Sequence, residues 1–229
     1  MIFMDAAFEI LLETDQYLVI NKPAGVNVER LPQGFPSVEE MVENHMRGKG
    51  VKKPFAGIVH RLDRPVSGVL LIAKKKSALK LLNEQFRLRK IRKAYQALVY
   101  PAPAEDRGIL HHWLVKDQKE KRSEAYPEPR GNAKEAFLEF ERISISAAGE
   151  GLLKVIPSGG QFHQIRVQLA AAGWPILGDA KYGSIGAFKQ DAIALHAILL
   201  AFEDPVSRRE IIVTSLPGFL PGPSNLSLV

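Results

Sequence analysis

The sequence predicts a strand-rich α+β fold with a sizeable hydrophobic core. The chain has 229 residues, of which 46% are hydrophobic and 24% are charged, a balance typical of globular proteins. Short, β-prone apolar runs, several of them alternating with a period of two, outnumber the segments with helical periodicity. These two observations together favour a β-sheet accompanied by a few helices.

The strands are predicted from apolar runs bounded by turn residues. Phe8–Glu13 and Tyr17–Asn21 are separated by three polar residues, which predicts an opening hairpin. The uninterrupted apolar run Gly68–Ala73 has the length of a buried strand. Similar runs predict six further strands over Lys93–Tyr100, Ile109–Val115, Ala136–Ile143, Leu152–Ile156, Leu195–Phe202 and Glu210–Thr214.

Three segments carry helix signals. Ser37 and Glu40 form a capping box, which predicts that a short helix follows. A second helix is predicted to begin at Ser77, with three apolar residues on one face: Leu79, Leu82 and Phe86. The third is predicted over His163–Ala172, because Gly173 provides the usual stop signal.

The domain organisation predicted from composition is simple. We find no internal repeat, and we expect a single catalytic domain over residues 1–229, with a core from about 8 to 214 and a C-terminal tail over 215–229. The segment Glu120–Asn132 is polar and contains proline and glycine, which predicts a flexible insertion within this domain.

Several functional classes are disfavoured by composition. The chain has no cysteine, which excludes disulfides, thiolate metal ligands and thiol nucleophiles. The six histidines form no metal-binding spacing, and phosphate-loop and dinucleotide signatures are absent, so we expect no metal or nucleotide cofactor. No apolar run approaches the roughly 18 residues that span a bilayer, and no secretory leader is present. We expect a cytoplasmic protein that does not contact membranes.

The positive charge is concentrated in one part of the chain. The whole chain carries a net charge of +6, but between Arg47 and Lys93 fifteen lysines and arginines face only Asp63 and Glu84. The remainder is therefore net negative. A local basic segment of this kind is typical of a surface that binds a phosphate backbone, although a solvated helix face is the alternative interpretation.

One of the two carboxylates in this basic segment has arginines close to it on both sides. Asp63 is flanked by Arg61 and Arg64, and neighbouring cations favour the ionised form of a carboxylate, which suits a nucleophile or general base. The alternative is that Asp63 only organises the turn at Pro65. The residues around Asp63 alone do not decide between these roles.

Six short motifs resemble the RluA-type pseudouridine synthases and occur in the order found in that family. They extend over nearly the whole chain: Asn21-Lys22-Pro23-Ala24-Gly25; His60-Arg61-Leu62-Asp63 with Ser67-Gly68; Lys93-Ala94-Tyr95; His163-Gln164-Ile165-Arg166; Ile176-Leu177-Gly178-Asp179 with Tyr182-Gly183; and Leu195-His196-Ala197. The resemblance implies a mixed, mostly antiparallel sheet with flanking helices and a basic cleft. It corresponds to the branch without an N-terminal RNA-binding domain.

The resemblance also implies an activity and three catalytic residues. The family detaches uracil from its ribose in RNA, rotates the base and rejoins it through carbon 5. Asp63 matches the essential aspartate, Tyr95 the tyrosine that packs against the target base, and Arg166 the basic partner of the aspartate. From the sequence alone Tyr95 could be a core residue and Arg166 a solvated one. Gln161 occupies a position where the family usually has arginine.

We expect structured rRNA or tRNA as the partner and a monomeric protein. Nine residues of the basic segment are predicted to bind RNA: Arg61, Arg64, Lys74, Lys75, Lys76, Arg89, Lys90, Arg92 and Lys93. If about five cations contact phosphates, the logarithm of affinity should fall with the logarithm of salt with a slope of about −4. The alternative function is a catalytically inactive RNA-binding or ribosome-assembly factor. A glycoside hydrolase fits less well, because Asp63 has no second carboxyl partner nearby in the sequence.

Overall fold

The computed structural model describes residues 8–32, 34–186 and 188–219. Over these residues the chain forms eleven strands: β1 (Glu9–Glu13), β2 (Tyr17–Lys22), β3 (Gly57–Ile58), β4 (Ser67–Ala73), β5 (Arg92–Val99), β6 (Arg107–Asp117), β7 (Arg122–Tyr126), β8 (Lys134–Ile145), β9 (Gly151–Pro157), β10 (Leu195–Glu203) and β11 (Glu210–Thr214). Three α-helices accompany them: α1 (Val38–Gly48), α2 (Lys76–Arg87) and α3 (Gln164–Ala171). The α+β class predicted from the sequence is confirmed.

The chain divides into two compact units. The first unit takes in the described parts of Met1–Arg92 and Ala197–Val229, and the second consists of Lys93–His196. The second unit is therefore continuous in sequence, whereas the first is assembled from two separated segments. The expectation of a single catalytic domain stays a prediction.

The first unit is built on a sheet whose central strands are almost fully buried. β2 pairs antiparallel with β1 on one side and β4 on the other, and β11 pairs antiparallel with β10. The predicted opening hairpin is confirmed, since the Thr14 amide donates to the Tyr17 carbonyl oxygen at 2.9 Å. Apolar side chains of β2, β4 and α2 form the core, among them Val19, Leu71 and Leu82. Burial of such side chains is the main stabilising contribution.

The close approach of β10 explains why residue 68, near the start of β4, is a glycine. Its φ angle is +117°, and a Cβ atom at this position would lie 2.3 Å from the carbonyl oxygen of Ala197 on β10. The added Cβ atom would clash with backbone atoms and not with a side chain that could move away. No other residue therefore fits at this position without displacing a strand. The glycine of the Ser67-Gly68 motif is thus required by the close approach of two strands.

The second unit is built on an antiparallel sheet that α3 contacts on one face. Its strands follow the order β5, β9, β8, β6, β7. Alternate residues of β8 are buried, including Ala136 and Leu138, while their neighbours are exposed. The side-chain amide of Gln168 on α3 donates to the carbonyl oxygens of Leu110 and Ala136, each at 3.1 Å. This amide fixes the helix on the sheet because the carbonyls it meets belong to two different strands.

The structure corrects two predictions about local elements. The segment Glu120–Asn132 was predicted to be flexible, but Arg122–Tyr126 forms strand β7 and pairs with β6. That pairing depends on a partner strand, which local composition does not reveal. Helix α2 begins at Lys76 and not at Ser77. The predicted Ser37 cap of α1, by contrast, is confirmed, because the Glu40 amide donates to the Ser37 hydroxyl oxygen at 3.2 Å.

Two further points concern the extent of the chain. Of the predicted tail over 215–229, residues 220–229 lie outside the described residues. Among the helices that the structure describes, none has both the length and the hydropathy needed to span a bilayer.

Candidate active site

Asp63 lies in the first unit, on the loop between β3 and β4. A turn closes this loop, because the Val66 amide donates to the Asp63 carbonyl oxygen at 3.0 Å. The side chains of Leu62 and Val66 are buried on either side, while Asp63 itself is half-buried. The apolar neighbours therefore anchor the loop in the core and leave its carboxylate at the boundary between core and surface.

Lys22, at the end of β2, is completely buried beneath the same loop. Its ammonium donates to three carbonyl oxygens, those of Pro23 at 2.9 Å, Val26 at 2.8 Å and Arg64 at 3.2 Å. Burial lowers the pKa of Lys22 to about 7, with the charge of Asp63 acting against this shift and the charge of Arg64 adding to it. The lysine thus joins the end of β2 to the turn that carries Asp63.

Sequence reasoning included Lys22 in a motif but gave it no role. A signal was available, because a lysine that ends a mostly apolar strand and precedes a proline is unlike an ordinary surface lysine. A buried ammonium needs several acceptors, and the turn residues that follow Lys22 supply them from their backbone.

The two arginines beside Asp63 differ in how they are held. Arg61 is exposed and forms an ion pair with Glu29 at 2.9 Å. Arg64 uses Nε to donate to the Gly25 carbonyl oxygen at 3.0 Å, and the Gly25 amide donates back to the Arg64 carbonyl oxygen at 2.8 Å. The segment around Gly25 and the Asp63 turn are therefore tied together by reciprocal bonds.

Tyr95 lies in the second unit, on β5 opposite Val155 of β9. It is buried, with 8% of its surface exposed. Lys93, two residues earlier on the same face of the strand, donates from Nζ to the Gly159 carbonyl oxygen at 2.8 Å, and burial lowers the pKa of Lys93. Lys93 was predicted to bind RNA, and its ammonium already has a backbone acceptor.

Arg166 is buried in the second unit on α3, contrary to the surface position that is usual for an arginine on a helix. Its guanidinium forms two parallel hydrogen bonds with Asp179, at 2.7 Å and 2.8 Å. Such bidentate pairing is the strongest arrangement available to these groups. Asp179 was recognised in the sequence only as part of a motif, so its pairing with Arg166 was not predicted. Pairing between Arg166 and Asp63 stays a prediction.

Tyr182 connects Arg166 to the residues that precede α3. The Arg166 guanidinium lies 5.1 Å from the centroid of the Tyr182 ring. The Tyr182 hydroxyl accepts from the Ser123 amide at 2.8 Å and is 2.9 Å from Nδ1 of His163. His163 has a φ angle of 54°, a strained conformation for a residue with a side chain. One tyrosine thus fixes β7, the start of α3 and the environment of Arg166.

The predicted RNA-binding cations of α2 and its flanks fall into two groups. Lys74 donates to Glu13 and to the Thr14 carbonyl oxygen, both at 2.8 Å, and Arg92 pairs with Glu210 at 2.9 Å. Four exposed residues form no ion pair with any residue that the structure describes: Lys75, Lys76, Arg89 and Lys90. These four are the cations best placed to bind phosphates.

Comparison with known proteins supports the resemblance seen in the motifs. The profile of the family described as RNA pseudouridylate synthase matches residues 16–171. Ribosomal large subunit pseudouridine synthase C of Buchnera aphidicola subsp. Baizongia pistaciae (strain Bp) is 35% identical over 214 residues, covering 90% of this chain and 66% of the relative. Its counterpart from Haemophilus influenzae (strain ATCC 51907 / DSM 11121 / KW20 / Rd) is 35% identical over 86% of this chain and 61% of the relative.

A second group of relatives is similar to this chain over a larger part of their own length. Dual-specificity RNA pseudouridine synthase RluA of Pasteurella multocida (strain Pm70) is 32% identical over 217 residues, which is 94% of this chain and 95% of the relative. The chain spans less than two thirds of the synthase C relatives, so its length is closer to that of this second group.

Solved structures confirm the predicted fold. Human RNA Pseudouridylate Synthase Domain Containing 1 matches with a TM-score of 0.77 at 24% identity, over 96% of this chain and 88% of that one. Human RNA Pseudouridylate Synthase Domain Containing 4 matches with a TM-score of 0.75 at 25% identity, over 92% of this chain and 89% of that one. Taken with the profile and the two groups of relatives, these matches lead to one conclusion: the chain belongs to the RNA pseudouridylate synthase family.

Proposed function

We propose that this protein is an RNA pseudouridine synthase that isomerises particular uridines in structured rRNA or tRNA, with Asp63 as the catalytic carboxylate. The observation that carries the proposal is the Asp63 turn. A single half-buried carboxylate stands there on a turn that the buried Lys22 ammonium fixes from beneath, in the motif that the family resemblance assigns to catalysis.

The chemistry needs only groups that the chain and its substrate possess. Asp63 either attacks C1′ of the ribose or removes a neighbouring sugar proton, and each route breaks the bond between N1 of uracil and C1′. The base then rotates and a bond forms between C5 and C1′, while C5 loses a proton and N1 gains one. Atoms and electrons balance within the isomerisation, so no oxidant, reductant or nucleotide cofactor is required.

Tyr95 and Arg166 keep the roles that the resemblance implies, as part of this proposal. Tyr95 would pack against the extruded uracil, because a base removed from its stack needs an aromatic or apolar surface. Arg166 would serve the aspartate as its basic partner. Their burial, and the precise anchoring of Arg166 by Asp179, support residues held in fixed orientations.

RNA would be recruited by the exposed cations at the two ends of helix α2. Two of the similar proteins are named as ribosomal large subunit synthases and one as a dual-specificity synthase, which supports RNA as the substrate class. We further propose that the protein acts as a monomer in the cytoplasm. Neutralisation of the RNA phosphate backbone by these cations would provide affinity. The shape of the RNA would determine which uridine is modified.

The test is pseudouridine mapping by carbodiimide adduct and primer extension on total RNA from cells lacking this gene. We expect at least one modified site to disappear, to return with the wild-type gene, and to stay absent with Asp63→Asn. Asp15→Asn, which changes an exposed carboxylate on the β1–β2 turn, is the matched control and should restore the site. Loss of no site in rRNA or tRNA would instead support the inactive RNA-binding factor.

A further inference from the structure

A small cavity in the second unit is lined mostly by polar and charged residues, none of which has been considered so far for catalysis. It has a volume of about 290 Å³ and lies between the β6–β7 hairpin and the loop before α3. Its lining includes six residues that bear on its chemistry: Lys116, Gln118, Ser123, Lys134, Gln161 and Phe162. We call this cavity the hairpin pocket.

We propose that the hairpin pocket binds one unpaired nucleotide of the RNA substrate, with the base on Phe162 and the adjacent phosphates on Lys116 and Lys134. This inference rests on the proposed function, because it takes RNA as the ligand. It adds a recognition point for a nucleotide other than the uridine that is isomerised.

The charge of the pocket suits a phosphate. Lys116 and Lys134 both line it, and neither forms an ion pair with any described residue. The carboxylates nearby are engaged elsewhere, since Asp117 accepts from the backbone amides of the hairpin turn and Glu135 contacts His111. No carboxylate is among the residues that line the cavity. Two cations without local compensation therefore face a space that an anion can enter.

The aromatic ring of Phe162 suits a base. One face of the ring stacks on His163, with centroids 3.8 Å apart and planes 22° apart, and the Lys116 ammonium lies 4.7 Å from the ring centroid. An exposed cation–π contact is weaker than the stacking of a base on an aromatic side chain. An incoming base can therefore displace the ammonium from the ring, which leaves Lys116 available for a phosphate.

The size and the remaining polar groups favour a single nucleotide. A cavity of about 290 Å³ is just below the range of drug-sized ligand sites, roughly 300–1,000 Å³, which favours a small ligand such as one nucleotide. Gln161 and Gln118 bring side-chain amides that can both donate to and accept from a base edge. Gln161 stands where the family usually has arginine, so this chain offers a base-reading group at a position that otherwise offers a phosphate-binding one.

Hydrogen bonds hold the pocket walls in place and connect them to the surroundings of Arg166. Ser123 is buried and donates from Oγ to the Phe162 carbonyl oxygen, which fixes the aromatic segment on β7. The Ser123 amide donates to the Tyr182 hydroxyl, and the Tyr182 ring faces the Arg166 guanidinium. Three contacts thus connect Phe162 to Arg166, a residue proposed to serve catalysis, which would link nucleotide recognition to the orientation of Arg166.

The first test measures binding of fluorescein-labelled decauridylate by anisotropy, beside a decamer of the same length that lacks bases. Phe162→Leu keeps an apolar side chain but removes the ring, so we expect decauridylate to bind about tenfold more weakly and the abasic decamer to bind unchanged. Phe162→Tyr keeps the ring and should bind both like the wild type, which also controls for folding. Equal binding of decauridylate by Phe162→Leu and the wild type would overturn the proposal.

The lysines are tested by the salt dependence of the same binding. Lys116→Gln and Lys134→Gln should each weaken binding of both decamers and reduce the steepness of the salt dependence by about 0.7, the value for one contact with a single strand. Lys119→Gln is the matched control, because Lys119 is exposed in the same hairpin but does not line the pocket. If Lys119→Gln has an equal effect, the contribution is general charge rather than this pocket.

A crosslinking measurement separates this pocket from other RNA contacts. Decauridylate containing 4-thiouridine is irradiated with the protein, and the crosslinked peptides are identified by mass spectrometry. We expect crosslinks at Gln161 or Phe162 in the wild type and equally in Asp63→Asn, because nucleotide capture does not require isomerisation. Crosslinks confined to the first unit would overturn the pocket proposal, while loss of activity in Asp63→Asn would still support the proposed function.

Discussion

The ammonium of Lys22 donates to the carbonyl oxygen of Arg64 at 3.2 Å, which joins the last residue of β2 to the turn that carries Asp63. Two further carbonyl oxygens complete its environment. The position of the carboxylate proposed to be catalytic therefore depends on a lysine that is itself completely buried.

Lys22→Met tests this dependence. We expect the free energy of unfolding to fall by about 2–4 kcal/mol, because three carbonyl groups lose a charged donor in the interior. Activity should fall further than folding alone explains, since the Asp63 turn loses its anchor. Chemical denaturation and pseudouridine formation measured below the unfolding midpoint check both effects. Lys49→Met, which removes an exposed lysine paired with Glu13, should change each by much less.

The pH dependence of stability provides a separate test of Lys22. Its pKa is about 7 in the folded protein and 10.5 in the unfolded chain, so between these values the unfolded chain carries the extra proton. Stability therefore rises with pH over this window, by up to about 1.4 kcal/mol per unit, and the contribution is constant below pH 7. Lys22→Met should lack this rise, and parallel curves for the two proteins would contradict the assignment.

The buried pair of Arg166 and Asp179 predicts a large effect from one substitution. Asp179→Ala leaves a guanidinium in the interior without its carboxylate, and we expect a loss of about 3–5 kcal/mol in unfolding free energy. Asp106→Ala is the matched control, because Asp106 pairs with Arg142 but is 84% exposed at its side chain. It should cost less than about 1 kcal/mol. Equal losses for the two variants would show that burial does not set the strength of these pairs.

Gly68→Ala should destabilise the first unit through a steric clash. The added Cβ would meet the backbone of Ala197 at 2.3 Å, so we expect a loss of about 3 kcal/mol or more, measured by thermal denaturation. Gly173→Ala separates this effect from backbone strain, because Gly173 also has a positive φ angle, +84°, but open space around it. That control should lose only about 1–2 kcal/mol.

The four unpaired cations predict how RNA binding responds to salt. Replacing them together should weaken binding of bulk transfer RNA and reduce the steepness of its salt dependence by about 3, since each phosphate contact releases a counterion. The residues to replace by glutamine are Lys75, Lys76, Arg89 and Lys90. A charge-matched control replaces four exposed residues of the same unit: Lys52, Lys53, Arg208 and Arg209. If the control flattens the dependence as strongly, net charge rather than this surface recruits RNA.

Much of the fold followed from local sequence signals, and the exceptions have physical causes. The strands of the apolar runs and the Ser37 cap are present because burial and capping act over a few residues. Strand β7 escaped prediction because Arg122–Tyr126 is stabilised by pairing with β6, a partner that composition does not reveal. The start of α2 at Lys76 was missed because no side chain caps it.

The candidate site was predictable in its motifs but not in its partners. Asp63, Tyr95 and Arg166 were selected from their motifs, and their roles remain proposals. The contacts of Lys22 with Arg64 and of Asp179 with Arg166 could not be derived from the sequence. Each contact joins residues from two separate motifs, which only the folded chain brings together. The number of cations available for RNA was likewise overestimated from the sequence. Lys74 and Lys93 donate to acceptors that only the folded chain brings near them.

The discontinuity of the first unit has a consequence for biosynthesis. The second unit is encoded without interruption, so it can fold on the ribosome as soon as His196 has emerged. The first unit must wait, because β10 and β11 are translated last, and contacts such as that between Gln85 and Glu203 span 118 positions. Until then the apolar strands made first lack their final partners and are the part of the nascent chain most exposed to aggregation and to chaperone binding.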